Sequence, residues 1–354
     1  MYTTAKNHAL NVLKRNTYKT QYASLLKKQN LSWTSKEIDI SDDLIKDEQL
    51  KMMFVCCHSS ISEETQISLI LKILCGFSIS EIASAFFSSV DTINKRLVRG
   101  RKQLRNAEIS FEITKYSIEG LDIVLKTIYL LFNEGYSPST QNKVIRYDLC
   151  LEAIRLAELL AQHKSIQQKQ DVYALLALMY FNAARFEARS ENGMVIEMHK
   201  QNRKRWNPSL ISTGMYYLNQ TTQCETLSIY LVLATISAHH CIAPSFEATN
   251  WAEILALYDS LLELQDTALV RLNRSIPLAM VKGYPAAIDE LLKLESTSDI
   301  ANYYLFHATL AEFYSHEKKS ESARKSLHKA ITLCTNARDQ KLLEKKLKNI
   351  VPIL

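Results

Sequence analysis

Between Val90 and Arg105 the chain sets Lys95, Arg96, Arg99, Arg101, Lys102 and Arg105 against a single acid, Asp91. At helical spacing, Asn94, Lys95, Arg99, Lys102 and Arg105 share one face, and Arg96 and Arg101 flank it. Val90, Ile93, Leu97 and Leu104 recur on the opposite, apolar face. Cations at this density neutralise phosphates, and Asn, Lys and Arg match the donor and acceptor patterns of base edges. The chemistry implied is duplex DNA binding. Thr92, Asn94, Lys95 and Arg96, near the start of the helix, are expected at base edges; Arg99, Arg101 and Lys102 are expected on phosphates, where they set the register. An amphipathic helix with a solvated cationic face is the competing reading of the same charges.

The neighbouring segments favour duplex binding. Ser80 to Phe86 reads as a short helix with Ile82, Ala83 and Phe86 turned inward, and Phe87-Ser88-Ser89 as a three-residue turn. A turn of that length sets two helices at a steep angle. The basic helix is therefore the second helix of a helix-turn-helix, the position that enters the major groove. Ser60-Ile61-Ser62-Glu63 has capping-box spacing and opens a helix to Cys75. Ile67, Leu69, Ile70, Leu71, Ile73 and Leu74 of that helix are expected to pack beneath the helix-turn-helix. A further helix starts at Leu50.

A chain of 354 residues is long enough for two or three domains. Seven Gly and six Pro are few, and Leu, Ile, Ala, Lys and Glu run in helical rhythm, so the fold class expected is all-α. Seven scattered cysteines fit a reducing cytosol. No apolar run approaches the ~20 residues that cross a bilayer, and no signal-peptide region opens the chain, so the expected location is cytoplasmic, without membrane contact. The net charge of +6 is unevenly spread: residues 1–30 carry six Lys/Arg and no acid, and residues 35–64 carry eight Asp/Glu against three Lys. Cys56-Cys57-His58, with Cys75 as a fourth donor, lacks the ligand spacing of a zinc site, so no metal is expected.

Residues 110–354 read as helical throughout and hold no nucleophile elbow, P-loop or dinucleotide fingerprint, so neither catalytic residues nor a cofactor is expected, and the chain is not read as an enzyme. Leu310-Ala311, Tyr314, Ala323, Leu327 and Ala330 follow the large and small positions of a tetratricopeptide (TPR) helix pair over 302–316 and 320–334. A weaker copy places Ser275, Leu278, Ala287 and Leu291 around a turn at Gly283-Tyr284-Pro285, and Tyr173–Arg185 opens another. Gly135 is expected to close an apolar helix as a left-handed cap.

Phe86 to Arg105, with Thr92, Ile93, Arg96-Leu97 and Arg99-Gly100-Arg101, resembles region four of bacterial sigma factors. Phe87 stands where that family has a turn glycine. Thr4 to Arg15, with Asn7 and Lys14-Arg15, resembles the last helix of sigma region two. Together with Cys56-Cys57-His58, Phe132–Tyr136, Leu149–Ala157, Arg203–Trp206, Asn250–Asp259 and Leu272–Arg274, these segments resemble the extracytoplasmic-function (ECF) sigma factors that carry a TPR-like extension. Lys200, Asn202 and Asn250 depart from that pattern.

The resemblance implies a remnant of region two over 1–30, an acidic linker over 31–50, a region-four helix-turn-helix over 51–109 and a TPR-like all-helical domain over 110–354. It also implies promoter DNA as ligand, read at its upstream (−35) element, core RNA polymerase as partner, and a regulatory partner or effector for the helical domain. A chain lacking most of region two would hold polymerase weakly, which leaves a non-initiating TPR-like interaction protein with a vestigial helix-turn-helix as the alternative. Two readings stand for Glu134, Arg146, Arg155, Arg185, Arg203, Arg205, Asn273 and Arg274: ion pairs locking helix hairpins, or a binding surface. Trp206 and Trp251 read as core anchors, and His239-His240 as a polar helix face.

Overall fold

The computed structural model describes residues 50, 52–58, 60–86, 88–106, 118–139, 144–164, 166–191, 193–222, 227–295 and 298–350. The expectations for residues 1–49 and for Phe87 lie outside these. The described chain is helical apart from one two-stranded hairpin. It divides into two compact units: the residues up to Ser139 together with Ile145–Val172, and Val144 together with those from Tyr173 onward.

The first unit contains α1 (Glu63–Ile73), α2 (Ile79–Ala85), α3 (Val90–Asn106), α4 (Ile118–Tyr136) and α5 (Tyr147–Gln162). α1 packs against α2, α3 and α4, and α4 lies along α5. Met53, Leu69, Ile70, Leu71, Phe77, Ile82, Ile93, Leu125 and Ile128 are fully buried, so the helix-turn-helix shares its core with helices on both sides of it in sequence. Such sharing is physically required, because the apolar faces of α2 and α3 are too small to form a core alone. Ile67, Leu69, Ile70 and Leu71 are buried as the periodicity predicts. Ile73 and Val90 are exposed and Leu74 half-buried, against expectation: Ile73 ends α1 and Val90 starts α3, so neither is followed or preceded by a packed turn.

The capping box forms one helix later than its spacing suggested. Ser60 Oγ hydrogen-bonds His58 Nδ1 at 2.8 Å, and the N-cap of α1 is Ser62, whose Oγ contacts Thr65 Oγ1 at 3.0 Å. At α2, Ser78 Oγ accepts from the Glu81 amide at 3.1 Å, and Glu81 Oε2 accepts from the Ser78 amide at 2.6 Å.

Two glycines sit where helices pack closely. A Cβ at Gly100 would lie 2.3 Å from Thr65 Cγ2, so alanine there would force the Thr65 side chain of α1 to shift. Gly135 sits inside α4 and does not cap it. A Cβ there would lie 2.8 Å from the Cys150 amide nitrogen and 2.9 Å from Leu149 Cβ, so the missing side chain admits α5.

α6 (Gln170–Ala183) crosses the division between the units. The second unit continues with α7 (Pro208–Asn219), α8 (Ile229–Ile242), α9 (Trp251–Leu264), α10 (Ala268–Lys282), α11 (Tyr284–Leu294), α12 (Tyr304–His316), α13 (Ser320–Leu333) and α14 (Ala337–Asn349). From α7 onward each helix packs on the next, with the broadest contact between α12 and α13. Nearest-neighbour stacking of this kind buries a continuous core between successive helices. Leu310, Ala311, Ala323, Leu327 and Ala330 are buried in that stack, as are Ser275, Leu278, Ala287 and Leu291. The expectation of helix throughout fails at 186–205. There β1 (Ser190–Glu191) pairs antiparallel with β2 (Met194–Val195), among three short 3₁₀ turns. Lys346 of α14 holds this loop by ion-pairing with both Glu197 and Glu312.

Candidate nucleic-acid interface

Ser89 starts the second helix of the helix-turn-helix by capping it. Its Oγ accepts from the Thr92 amide at 3.1 Å and hydrogen-bonds Thr92 Oγ1 at 2.8 Å. Ile93, Leu97 and Gly100 turn inward, which fixes the opposite face outward. Thr92, Asn94, Lys95, Arg99, Arg101, Lys102 and Arg105 are all exposed on it. Lys95 Nζ pairs with Asp91 at 2.6 Å, one turn back on the same surface.

Arg96 behaves differently. Its guanidinium lies 5.1 Å from the centroid of the half-buried Phe86 ring, and its Nη1 is buried without a hydrogen-bond partner. Phe86 thus serves as a platform for a recognition-helix arginine and not only as a core residue. Thr65, Asp91, Thr92, Lys95, Arg96 and Arg99 line a shallow depression of about 330 Å³ along α3. Sequence reasoning missed Val98, which is 64% exposed at helical spacing from Asn94, Arg101 and Arg105; the signal was its position one turn after Asn94.

Behind this surface, Glu81 of α2 and Arg146 at the N-cap of α5 form a buried ion pair, with Asp148 Oδ2 3.8 Å from Arg146 Nη2. Burial pushes the Glu81 carboxyl up, but hydrogen bonds from Ser78 and the Arg146 charge outweigh it and hold the carboxyl below the usual carboxylate range. Glu134 of α4 accepts from the Ser139 amide and hydroxyl at 3.1 and 3.2 Å, yet burial dominates there and its carboxyl is raised. The two carboxylates therefore act oppositely with pH. Glu81 stabilises above its unfolded pKa of about 4.3, and that contribution is lost as pH falls through its folded value. Ionised Glu134 costs stability at neutral pH, and the cost disappears on protonation. Glu134→Gln is accordingly expected to raise the melting temperature at pH 7 and to give no gain at pH 4. An equal gain at both pH values, read by circular dichroism, would refute the assignment.

The other ionic residues singled out from the sequence divide by their partners. Arg274 pairs with Asp259 and Glu290 at 2.6 Å each and so joins α10 to α9 and α11. Arg155 pairs with Glu152 one turn earlier on α5. Arg205 and Asn273 are exposed. Trp206 and Trp251 are buried, as expected of core anchors. His240 does not lie on a polar face: burial drives its imidazole down to about 3, and its ring packs on Trp251. Burial pushes the thiols of Cys56 and Cys57 up to about 11 and about 12, and Cys57 Sγ donates to the Met53 carbonyl at 3.3 Å.

Sigma-70 region 4 is the family that matches residues 51–104, the segment carrying α1, α2 and most of α3. A family of unknown function (DUF6596) matches residues 120–222. An uncharacterized protein of Rhizobium meliloti (strain 1021) is 31% identical over 323 residues, which is 89% of this chain and 75% of that protein. The chain belongs to that protein's family. Its sigma-70 region 4 domain makes it sigma-factor-like, with the exposed cationic α3 as the second helix of the helix-turn-helix in that domain. The buried Glu81–Arg146 pair ties the region 4 domain to the segment matched by DUF6596, since Glu81 belongs to one and Arg146 to the other. No solved structure matches the chain. Among the described residues, no helix is long and apolar enough to cross a membrane.

Proposed function

We propose that this chain is an ECF-type sigma factor that directs RNA polymerase to promoters through the upstream (−35) element. The observation that carries this reading is the coincidence of the region 4 match with an outward cationic face on α3. On this reading Thr92, Asn94, Lys95 and Arg96 contact base edges, with Arg96 aimed by its packing on Phe86. Arg99, Arg101 and Lys102 contact phosphates. Val98 offers an apolar contact for a thymine methyl group. The protein acts by binding and not by catalysis.

The domain division proposed is a DNA-reading part over 51–109 and a TPR-like regulatory part over 110–354. Support for the TPR-like reading comes from the buried small residues Ala311, Ala323 and Ala330, which sit where a TPR helix pair needs close approach. Core RNA polymerase and promoter DNA are the partners, and the chain works in the cytoplasm.

The test is selection of the full chain on a pool of randomised duplexes, with capture of core polymerase as a second readout. One enriched motif together with polymerase capture is expected. No enrichment over the starting pool would overturn the DNA reading. Enrichment without capture would favour an interaction protein that has lost polymerase engagement.

A further inference from the structure

Arg185 and Arg203 come together over one ring in the loop between α6 and α7. Their guanidinium carbons lie 5.2 and 4.4 Å from the centroid of the Trp206 indole. Neither has a carboxylate partner among the described residues. Arg185 Nε donates to Gln201 Oε1 at 3.3 Å. Arg203 Nη1 donates to the carbonyls of His240 and, at 3.0 Å, Ala243, and so caps the C-terminus of α8.

Capping accounts for Nη1 and leaves Nη2 of the same guanidinium buried with no protein partner. Trp206 Nε1 and His240 Nδ1 are in the same condition. Three buried polar atoms gathered around one arginine are exceptional, because each forgoes solvation without a return.

The available counter-charges are accounted for. Cys241, within the field of both arginines, is pushed up to about 11 by burial and stays a thiol. Glu247 is exposed at the rim and hydrogen-bonds Ser245. Burial, with the neighbouring Arg185, depresses the Arg203 guanidinium, and the Glu247 charge at the rim offsets this only in part. Arg203 opens onto a cleft of about 330 Å³, with Met198, His199, Pro244 and Phe246 in its wall and Lys204 at its edge. That volume suits a small molecule.

We propose that Arg203, supported by Arg185 and Trp206, forms a binding site for a small organic oxyanion, a carboxylate or a phosphate monoester with an apolar body that rests on Phe246. The planar guanidinium of Arg203, which lines the cleft, matches either head group. The site lies wholly in the second unit and is independent of the DNA-binding reading.

The experiment is calorimetric titration of the full chain with inorganic phosphate and, separately, with benzoate, at constant ionic strength set by chloride. Saturable binding of at least one probe is expected; phosphate alone assigns a phosphate ligand, and benzoate alone a carboxylate. Arg203→Gln should weaken that binding at least tenfold. Arg203→Lys keeps the charge that caps α8 but loses the paired donors, so it should fold, by circular dichroism, and still bind at least tenfold more weakly. No saturable heat from either probe up to about 50 mM, a range that detects even millimolar affinity, overturns the site. So does a folded Arg203→Lys protein that binds as tightly as the wild type.

Discussion

Replacing Arg146 with alanine should destabilise the first unit by about 3–5 kcal/mol, the cost of leaving a buried charge without its partner. The two side chains of the Glu81–Arg146 pair are only 9% and 6% exposed. Removing the guanidinium would therefore strand a carboxylate that also completes the α2 capping box through the Ser78 amide. Urea unfolding followed by circular dichroism measures the loss. The double variant Arg146→Ala/Glu81→Ala should recover part of it, because the second deletion removes the stranded charge. Arg155→Ala serves as the contrast: its pair with Glu152 lies within one helix and is about a quarter exposed, so its loss should be under about 1 kcal/mol. Equal losses from Arg146→Ala and Arg155→Ala would show that the buried pair does not hold the region 4 domain to the following segment.

Gly135→Ala should be nearly as damaging, at about 3 kcal/mol, the upper end for overpacking. The added methyl would meet the Cys150 amide nitrogen at 2.8 Å and Leu149 Cβ at 2.9 Å, and backbone cannot swing aside as a side-chain terminus can. α4 and α5 would have to separate, stretching the hydrogen bond from the Arg146 amide to the Gly135 carbonyl, now 2.7 Å. Because the two sites share this joint, Gly135→Ala and Arg146→Ala should be less than additive in the same urea experiment. Full additivity, or a stabilised Gly135→Ala protein, would contradict the close approach.

These two residues also mark where the sequence is readable and where it is not. The helix-turn-helix was legible because burial there follows helical period: Ile82, Ala83, Ile93 and Leu97 are buried where periodicity puts them. The helix pair over 304–333 was legible for the same reason, with Ala323 and Ala330 marking close contact. Gly135 was misread because its role depends on a helix that begins twelve residues later, and local rules see only a glycine near a helix end. Glu81 was missed since a carboxylate on a short polar helix looks solvated until Arg146 arrives from another segment. His240 and Arg203 were ambiguous on similar grounds: their burial comes from an irregular loop at 184–207 that carries no periodicity to read.

The account rests on α3 as a phosphate-contacting helix, and its salt dependence tests that most directly. Fluorescence anisotropy of the full chain on a selected duplex, across a series of salt concentrations, gives the slope of log affinity against log salt. Wild type is compared with Arg99→Ala/Lys102→Ala, both exposed positions whose loss should spare the fold. Two phosphate contacts removed should make the slope shallower by about 2, with weaker binding at every salt. An unchanged slope and affinity in the folded double variant would mean that this face of α3 does not touch DNA.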